Sequence, residues 1–261
     1  MNRITALTAT AALAASTLAL AAPTQAAPAA KAKAAYSVTA SVNKDVAIAE
    51  ETLIKVKGRV TPKASGQKVL LQQRVGKKKK WVVTGNAKVK ANGTYKLTDT
   101  PSTPGARQYR VLKPASNGLA KGFSAPVDVE VYRWEKLAYR TAVTSTITAR
   151  GVTIGTEYFG QSLATITPGT AATTEYTLGR KCTALRATYA LTDESATGSS
   201  GAITVTADGT PVASHSLAVG SIVADEQIDL TGVFRLKFDA TTTATPAATA
   251  AVATPEVLCT R

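Results

Sequence analysis

The sequence predicts an all-β protein made of two β-sandwiches. Gly and Pro, 18 and 11 in number, interrupt the chain at short intervals, and Thr, Val and Ala dominate between them. After residue 35 no stretch of ten or more residues carries the 3.6-residue apolar period of a helix. Apolar residues instead alternate with polar or small ones, most clearly at Leu185, Ala187, Tyr189 and Leu191. This period of two is typical of strands with one face in a core.

The first 26 residues have the pattern of a signal peptide. Arg3 supplies a positive start, an apolar run extends from Ile4 to about Ala22, and residues 23–26 end in small side chains. A membrane anchor is the alternative, but Thr and Ala dilute the run below a good spanning helix. We therefore expect removal of residues 1–26, a disordered linker at 27–35, and a secreted protein, extracellular or cell-wall associated, without membrane insertion.

Residues 36–134 predict the first sandwich. Asn92-Gly93 is a strong tight-turn signal between two alternating segments. Roughly seven short strands at spacings of about ten residues are typical of an antiparallel sandwich. The apolar positions that define the strands are Val38, Ala40, Val42, Ile54, Val56, Val60, Val69, Leu71, Val75, Val83, Tyr109, Val111, Val127, Val129 and Val131.

Charge is unevenly divided between the two halves. Residues 27–133 hold 21 Lys and Arg against 6 Asp and Glu, whereas residues 134–261 hold 9 against 11. An anionic partner therefore belongs to the first half.

The densest basic run is Lys77, Lys78, Lys79 and Lys80, directly before Trp81. A hairpin tip with four lysines can hold phosphate or uronate groups, although lysines at such a tip can also serve solubility alone. Trp81 could stack on a sugar, but the start of a core strand is its simpler interpretation. Nucleic acid is not expected, because export and the lack of a stacking array argue against it.

The first half resembles the immunoglobulin-like modules of exported actinobacterial proteins. The resemblance lies in VLLQQRVGKKKKWVVTGNAKVKANGTYKLTDTPSTPGARQYRV and covers most of residues 36–133. It implies an immunoglobulin-like fold and says almost nothing about a ligand. The paired cysteines of antibody domains are absent, so packing alone must hold this core.

Residues 135–261 predict a second sandwich of around eight short strands. The segments IGTEYFGQSL, TEYTLGRKCTALRATYALTDES, GAITVTADGTPVASHSL and IDLTGVFRLKFDA, in that order, resemble the NPCBM family of carbohydrate-binding modules, which are galactose-binding-like. The resemblance spans about residues 140 to 261. The residues at matching places are Tyr158, Ser162, Leu163, Tyr176, Leu178, Gly179, Asp193, Glu194, Asp208, Gly209, Leu230, Gly232, Val233 and Leu236.

The NPCBM resemblance implies a jelly-roll sandwich that binds carbohydrate. The family's G-x-H is replaced by SLATITPG, and its histidine-aspartate tail by Thr and Ala between Asp239 and Thr254. These departures affect ligand contacts more than the fold. Tyr158 and Phe159, in a Gly-bounded segment expected to be a loop, are the first candidates for stacking on a pyranose. Each could equally belong to the core.

The two cysteines, Cys182 and Cys259, predict one disulfide in an exported chain. A metal site is the competing interpretation, but the chain has one histidine and no CxxC.

No enzyme is expected. His215 is the only imidazole, and it lies on a polar stretch where a solvated strand residue is the ordinary interpretation. Asp193 and Glu194 are weak candidates for calcium ligands, and a solvated acidic turn is the simpler alternative. We expect no cofactor, and structural calcium has no other support.

The sequence thus predicts a monomeric, non-catalytic protein outside the cell. In this hypothesis the second module recognises glycan, and the basic first module attaches to an anionic wall polymer. The alternative is a structural or protein-interaction module pair without glycan affinity.

Overall fold

The computed structural model describes residues 33–261. The predicted signal peptide and most of the predicted linker lie outside this range. Ala34 and Ala35, at the end of that linker, already join the fold, because the N–H of Ala120 donates to the Ala34 carbonyl and Ala35 bridges to Ala120.

The described residues form twenty strands and one 3₁₀ turn, Leu137–Tyr139, and no helix long and apolar enough to span a membrane occurs among them. The strands are β1 (Ser37–Val38), β2 (Ser41–Val42), β3 (Val46–Ile48), β4 (Ile54–Thr61), β5 (Lys68–Val75), β6 (Val82–Lys88), β7 (Thr94–Asp99), β8 (Gly105–Lys113), β9 (Gly122–Phe123), β10 (Val127–Lys136), β11 (Thr144–Ser145), β12 (Thr148–Ile154), β13 (Glu157–Ala164), β14 (Ala172–Thr177), β15 (Cys182–Leu191), β16 (Ser200–Ala207), β17 (Thr210–Ala218), β18 (Ile222–Asp229), β19 (Arg235–Thr242) and β20 (Ala250–Cys259). The predicted all-β fold is confirmed.

The first sandwich packs a small sheet against one end of a long sheet. In the small sheet, β1 and β2 share one edge of β4, and β7 pairs with the other edge. In the long sheet, β10, β8, β5 and β6 follow one another, and β3 runs parallel to β10. The core between them contains Ile54, Val56, Leu71, Tyr109 and Val111, all fully buried.

The alternating positions Val38, Ala40 and Val42 lie on two short strands, β1 and β2, and on the link between them. The chain is interrupted at Thr39, whose carbonyl accepts a hydrogen bond from the Tyr95 hydroxyl and whose Oγ1 accepts the Arg59 N–H. Gly58 of β4 lies against Thr39, and a Cβ at position 58 would be only 1.8 Å from the Thr39 carbonyl oxygen. The alternation was therefore recognised correctly, but the local backbone pairing was not.

Strand β10 is shared by both sandwiches. Its residues 127–131 pair with β8, and its residues 133–136 pair with β20, so one sheet of eleven strands passes through the molecule. The predicted boundary at residue 134 falls within this strand rather than in a linker. The two hydrophobic cores nevertheless stay separate, one containing residues 36–131 and the other residues 137–259.

In the second sandwich, part of the long sheet faces a back sheet. The long-sheet strands are in the order β12, β13, β20, β15, β18, and those of the back sheet are in the order β11, β14, β19, β16, β17. Leu185 and Tyr189 of β15 and Phe238 of β19 are fully buried in the core between them. The alternating apolar positions predicted for this half therefore do face a common core.

Candidate functional site

A groove lies on the outer face of the long sheet in the second sandwich. It encloses about 500 Å³ over β13, β20, β15 and β18. We call it the sheet groove. Its aromatic and polar lining is Phe159, Arg186, Thr188, Asp225, Gln227, Thr254 and Glu256. A shallow groove with one aromatic ring and several hydrogen-bonding groups can bind a polar ring-shaped ligand without catalysing a reaction.

The backbone is irregular on each strand that forms the floor of the groove. The register of β15 shifts between Arg186 and Thr188 against β20, and between Ala187 and Tyr189 against β18. Asp225 on β18 and Thr254 on β20 have φ of 49° and 41°, a left-handed region that Asp adopts more readily than most residues but that the β-branched Thr254 rarely adopts. Bulges and such φ values occur preferentially at functional sites.

Two hydroxyl groups hold these unusual conformations in place. The N–H of Asp225 donates to Thr188 Oγ1 at 3.1 Å, and the N–H of Thr254 donates to Ser162 Oγ at 3.3 Å. The hydroxyl of Ser162, which is fully buried, donates in turn to the Phe159 carbonyl at 3.1 Å. Ser162 therefore connects Thr254 on the floor of the groove to Phe159 in the aromatic wall, and Thr188 separately supports the backbone of Asp225.

The polar wall is built around Arg186. Its Nη2 lies 2.6 Å from Glu256 Oε2, and its Nε donates to the same oxygen at 2.7 Å. The guanidinium also lies over the Trp134 ring, 4.1 Å from the centroid. This stack joins the groove to a second hollow of about 450 Å³ that Trp134, Tyr139 and Arg140 line together with Glu256.

Phe159 forms the aromatic wall. The β12–β13 hairpin brings it, half-buried, against a small cluster on the outer face that includes Val152, Ile154, Ala190 and Ala251. Phe159 lies on strand β13, so the expectation of a loop at residues 158–159 was wrong. The two glycines on either side of the segment, Gly155 and Gly160, suggested a loop. Only Gly155 lies in the turn, whereas Gly160 is part of β13.

Tyr158 does not share this wall. Neighbouring residues of a strand face opposite sides, so Tyr158 lies on the other face of the hairpin, 70% exposed. Its ring covers Gly151, where a Cβ would lie 2.0 Å from the Tyr158 hydroxyl oxygen. The predicted pair is therefore divided, and of the two residues only Phe159 lines the sheet groove.

The back sheet carries a comparable hollow without an aromatic residue. It encloses about 570 Å³ and is lined by Glu175, Thr204, Thr206, Arg235 and Lys237, among others. Arg235 and Glu175 form an ion pair of 3.2 Å there. This hollow is a useful reference, because it is similar in size to the sheet groove and also contains an Arg–Glu ion pair but has no aromatic ring in its lining.

The lysine run lies where the sequence predicted it. Lys77 to Lys80 occupy the exposed turn between β5 and β6. The sequence favoured a core position for Trp81, and this prediction was wrong. Trp81 lies half-buried on the outer face of the sheet. Arg74 and Arg110 stand 4.8 and 4.2 Å from its ring. Burial, and then the charge of Arg74, lower the pKa of Arg110.

The weak calcium candidates are engaged in protein contacts. Asp193 Oδ1 accepts the Gly155 N–H at 2.7 Å, and Glu194 forms a 2.9 Å ion pair with Arg150. The hydrogen bond from Arg150 lowers the pKa of Glu194. No group of three or more metal-ligating side chains occurs within residues 33–261.

His215 was expected to be a solvated strand residue, and this prediction was wrong because its side chain is largely buried. Its Nε2 lies 3.0 Å from Glu226 Oε2, its ring centroid is 4.5 Å from that of Tyr189, and its side chain is 13% exposed. It joins β17 to β18 and so helps close one open side of the sandwich.

The predicted disulfide is confirmed. Cys182 and Cys259 form a bond of 1.98 Å and lie opposite each other on β15 and β20. Nη1 of Arg140 lies 3.7 and 3.6 Å from the two sulfur atoms.

The second half is thus a β-sandwich of two sheets with a groove on the outer face of one of them. The family model of the NPCBM/NEW2 domain matches residues 124–251, just under half of the chain. This match supports the predicted carbohydrate-binding module in the C-terminal half, and such modules are non-catalytic. Neither a curated protein nor a solved structure matches the chain. The immunoglobulin-like character of the first sandwich stays a prediction.

Proposed function

We propose that this protein is a non-catalytic glycan-binding protein of the cell exterior. In this proposal the sheet groove binds a sugar, and the basic first sandwich attaches the protein to an anionic wall polymer by charge. The observation that carries the proposal is the sheet groove itself, which combines an aromatic wall with a hydrogen-bonded, irregular floor in a sandwich matched by the NPCBM/NEW2 model.

The lining of the groove suits a neutral sugar. The half-buried ring of Phe159 offers an apolar surface to the carbon face of a pyranose. Arg186 donates hydrogen bonds, Asp225 and Glu256 accept them, and Gln227 can do both, so sugar hydroxyls find partners of either kind. The ion pair between Arg186 and Glu256 fixes two of these groups before a ligand arrives, which lowers the entropy cost of binding.

The two halves predict different responses to salt. Binding of a neutral sugar in the groove depends on short contacts and should change little with ionic strength. Attachment through the first half depends on a large excess of Lys and Arg, so it should weaken as salt rises. Export rests on the sequence pattern of residues 1–26 and is part of the proposal.

A glycan array at two salt concentrations, combined with pull-down on purified cell walls, tests this function. We expect the parent chain to retain specific neutral glycans at both salt concentrations and to release the wall at the higher one. Phe159→Ala should lose the glycans, whereas Thr204→Ala in the back-sheet hollow should keep them. The glycan proposal fails if nothing is retained or if the two variants bind alike. Retention lost on protease-treated walls, but kept on glycan-stripped walls, would show a protein partner instead.

A further inference from the structure

The outward face of the small sheet carries four cations in a flat array. Lys55, Lys57 and Arg59 alternate with buried Ile54, Val56 and Val60 along β4, and Lys96 lies on β7. We call Lys55, Lys57, Arg59 and Lys96 the lysine face. The first three repeat every second residue, so they are spaced at about 6.6 Å along the strand.

Two of these lysines are directly opposite each other. Lys57 pairs with Lys96 in the register of β4 and β7, and both side chains are exposed. Side chains at such positions have Cβ atoms about 5 Å apart, and like charges there destabilise a sheet. The other outward residues of these strands are uncharged: Ser41, Thr94 and Thr98 lie beside the lysines.

No carboxylate offsets this charge. Within residues 33–261, no Asp or Glu forms an ion pair with any member of the lysine face. Four of the six acidic groups of the first sandwich contact other residues: Asp99 accepts from Tyr109 inside the core, Asp128 from Gln108 and Glu130 from Thr260, and Glu50 forms an ion pair with Arg133. In the second sandwich, by contrast, charges on adjacent strands are complementary, as in Arg186 opposite Glu256.

We propose that the lysine face binds a linear phosphodiester polymer. The inference rests on the proposed attachment function and names the surface and the chemistry that perform it. A row of cations at a regular spacing complements a chain of repeated negative charges. Lysine ammonium groups bind phosphate as point charges, and Nη1 of the single arginine here already donates to the Asn92 carbonyl at 2.9 Å. None of its four residues is aromatic, so the lysine face recognises the charge of the polymer and does not stack on sugar rings.

The chain offers a matched control for this proposal. Lys68 and Lys88 are another pair of opposed, exposed lysines, on β5 and β6 of the long sheet. Lys68→Glu changes the net charge and relieves like-charge repulsion in the same way as Lys57→Glu, but on a different face. Only the position of the charge differs between the two variants.

Binding of the full chain to poly(glycerol phosphate) over a range of salt concentrations decides the question. We expect Lys57→Glu to weaken binding by about tenfold or more and to reduce the slope of log K against log salt by about one or more, because a phosphate contact is lost and its partner lysine is neutralised. Lys68→Glu should bind like the parent. The melting temperature of Lys57→Glu should equal or exceed that of the parent, which separates lost binding from unfolding.

Each other outcome contradicts a different statement. A parent chain that does not bind the polymer overturns the attachment function and this inference together. If both variants lose polymer binding to the same extent, the lysine face is not the binding surface, although attachment by net charge remains supported. Equal binding to a polyuronate, or to vesicles of phosphatidylglycerol, overturns the assignment of a phosphodiester polymer.

Discussion

The guanidinium of Arg186 lies 4.1 Å from the ring centroid of Trp134, so a residue of β15 covers a residue of the shared strand β10. Because Arg186 also binds Glu256 of β20, one side chain connects three neighbouring strands on the outer face. The groove and the hollow beside Tyr139 meet at this point, since Glu256 lines both. Arg186 therefore orders the polar wall of the candidate site rather than the core.

Replacing Arg186 should affect binding more than stability. In Arg186→Leu, Glu256 loses its partner and a donor to the ligand disappears, so we expect neutral-glycan affinity to fall by about tenfold or more. A half-exposed ion pair contributes only about 0 to 1 kcal/mol to the free energy of unfolding. Arg235→Leu breaks the comparable pair with Glu175 on the back sheet and should leave affinity unchanged. Titration calorimetry and urea unfolding of both variants check this, and equal affinities for the two would contradict the assigned site.

Two strand glycines should respond differently to alanine. At Gly58 a Cβ would lie 1.8 Å from the Thr39 carbonyl oxygen, whereas at Gly85 nothing lies closer than 3.6 Å. Gly58→Ala should therefore force β2 away from β4 and lower the free energy of unfolding by about 1 to 3 kcal/mol. Gly85→Ala should be neutral or slightly stabilising, because alanine has less conformational entropy to lose. Urea unfolding compares them, and similar values would disprove the close approach at Thr39.

The alternating pattern predicted much of this fold because it reports directly which side of a strand is buried. The burial of Ile54, Val56 and Val60 and the pairing of Cys182 with Cys259 followed from the residues alone. The division of β10 did not, because its last residues pair with a strand more than a hundred residues later. No local signal carries that information.

The candidate site was predicted only in part. Phe159 was identified as an aromatic beside glycines, but its separation from Tyr158 depends on the strand that contains both. Arg186 and Glu256 were missed, since they are 70 residues apart and meet only through the pairing of β15 with β20. A weak signal was present: a charged residue at an outward position of each strand, flanked by apolar inward ones.

Asp208 should make stability depend on acid pH. Its carboxylate accepts the N–H groups of Phe234 and Arg235 at 2.7 to 3.1 Å, and these bonds hold its pKa below the ordinary value. Such a carboxylate stabilises the fold fully above its unfolded pKa, near 4, and the contribution is lost as pH falls through the lower folded value. Asp208→Asn should therefore be less stable than the parent at about pH 6 and equal to it at about pH 2. Denaturant unfolding across this range tests the prediction, and a constant difference at all pH values would contradict it.

The disulfide should account for a large share of the stability of the second sandwich. It joins β15 and β20, which occupy the middle of the sheet, and closes a segment with a sequence separation of 77 residues. A loop of that length restricts the unfolded chain enough to contribute about 4 kcal/mol in the chain-entropy model. Cys182→Ala/Cys259→Ala should lose about this much free energy of unfolding while retaining the fold at low temperature, because both side chains are buried among apolar neighbours. Intact mass after alkylation without reductant should show no modified thiol in the parent and two only after reduction. Two alkylated thiols in the untreated parent, or a double variant as stable as the parent, would show that hydrophobic packing alone holds β20 in place.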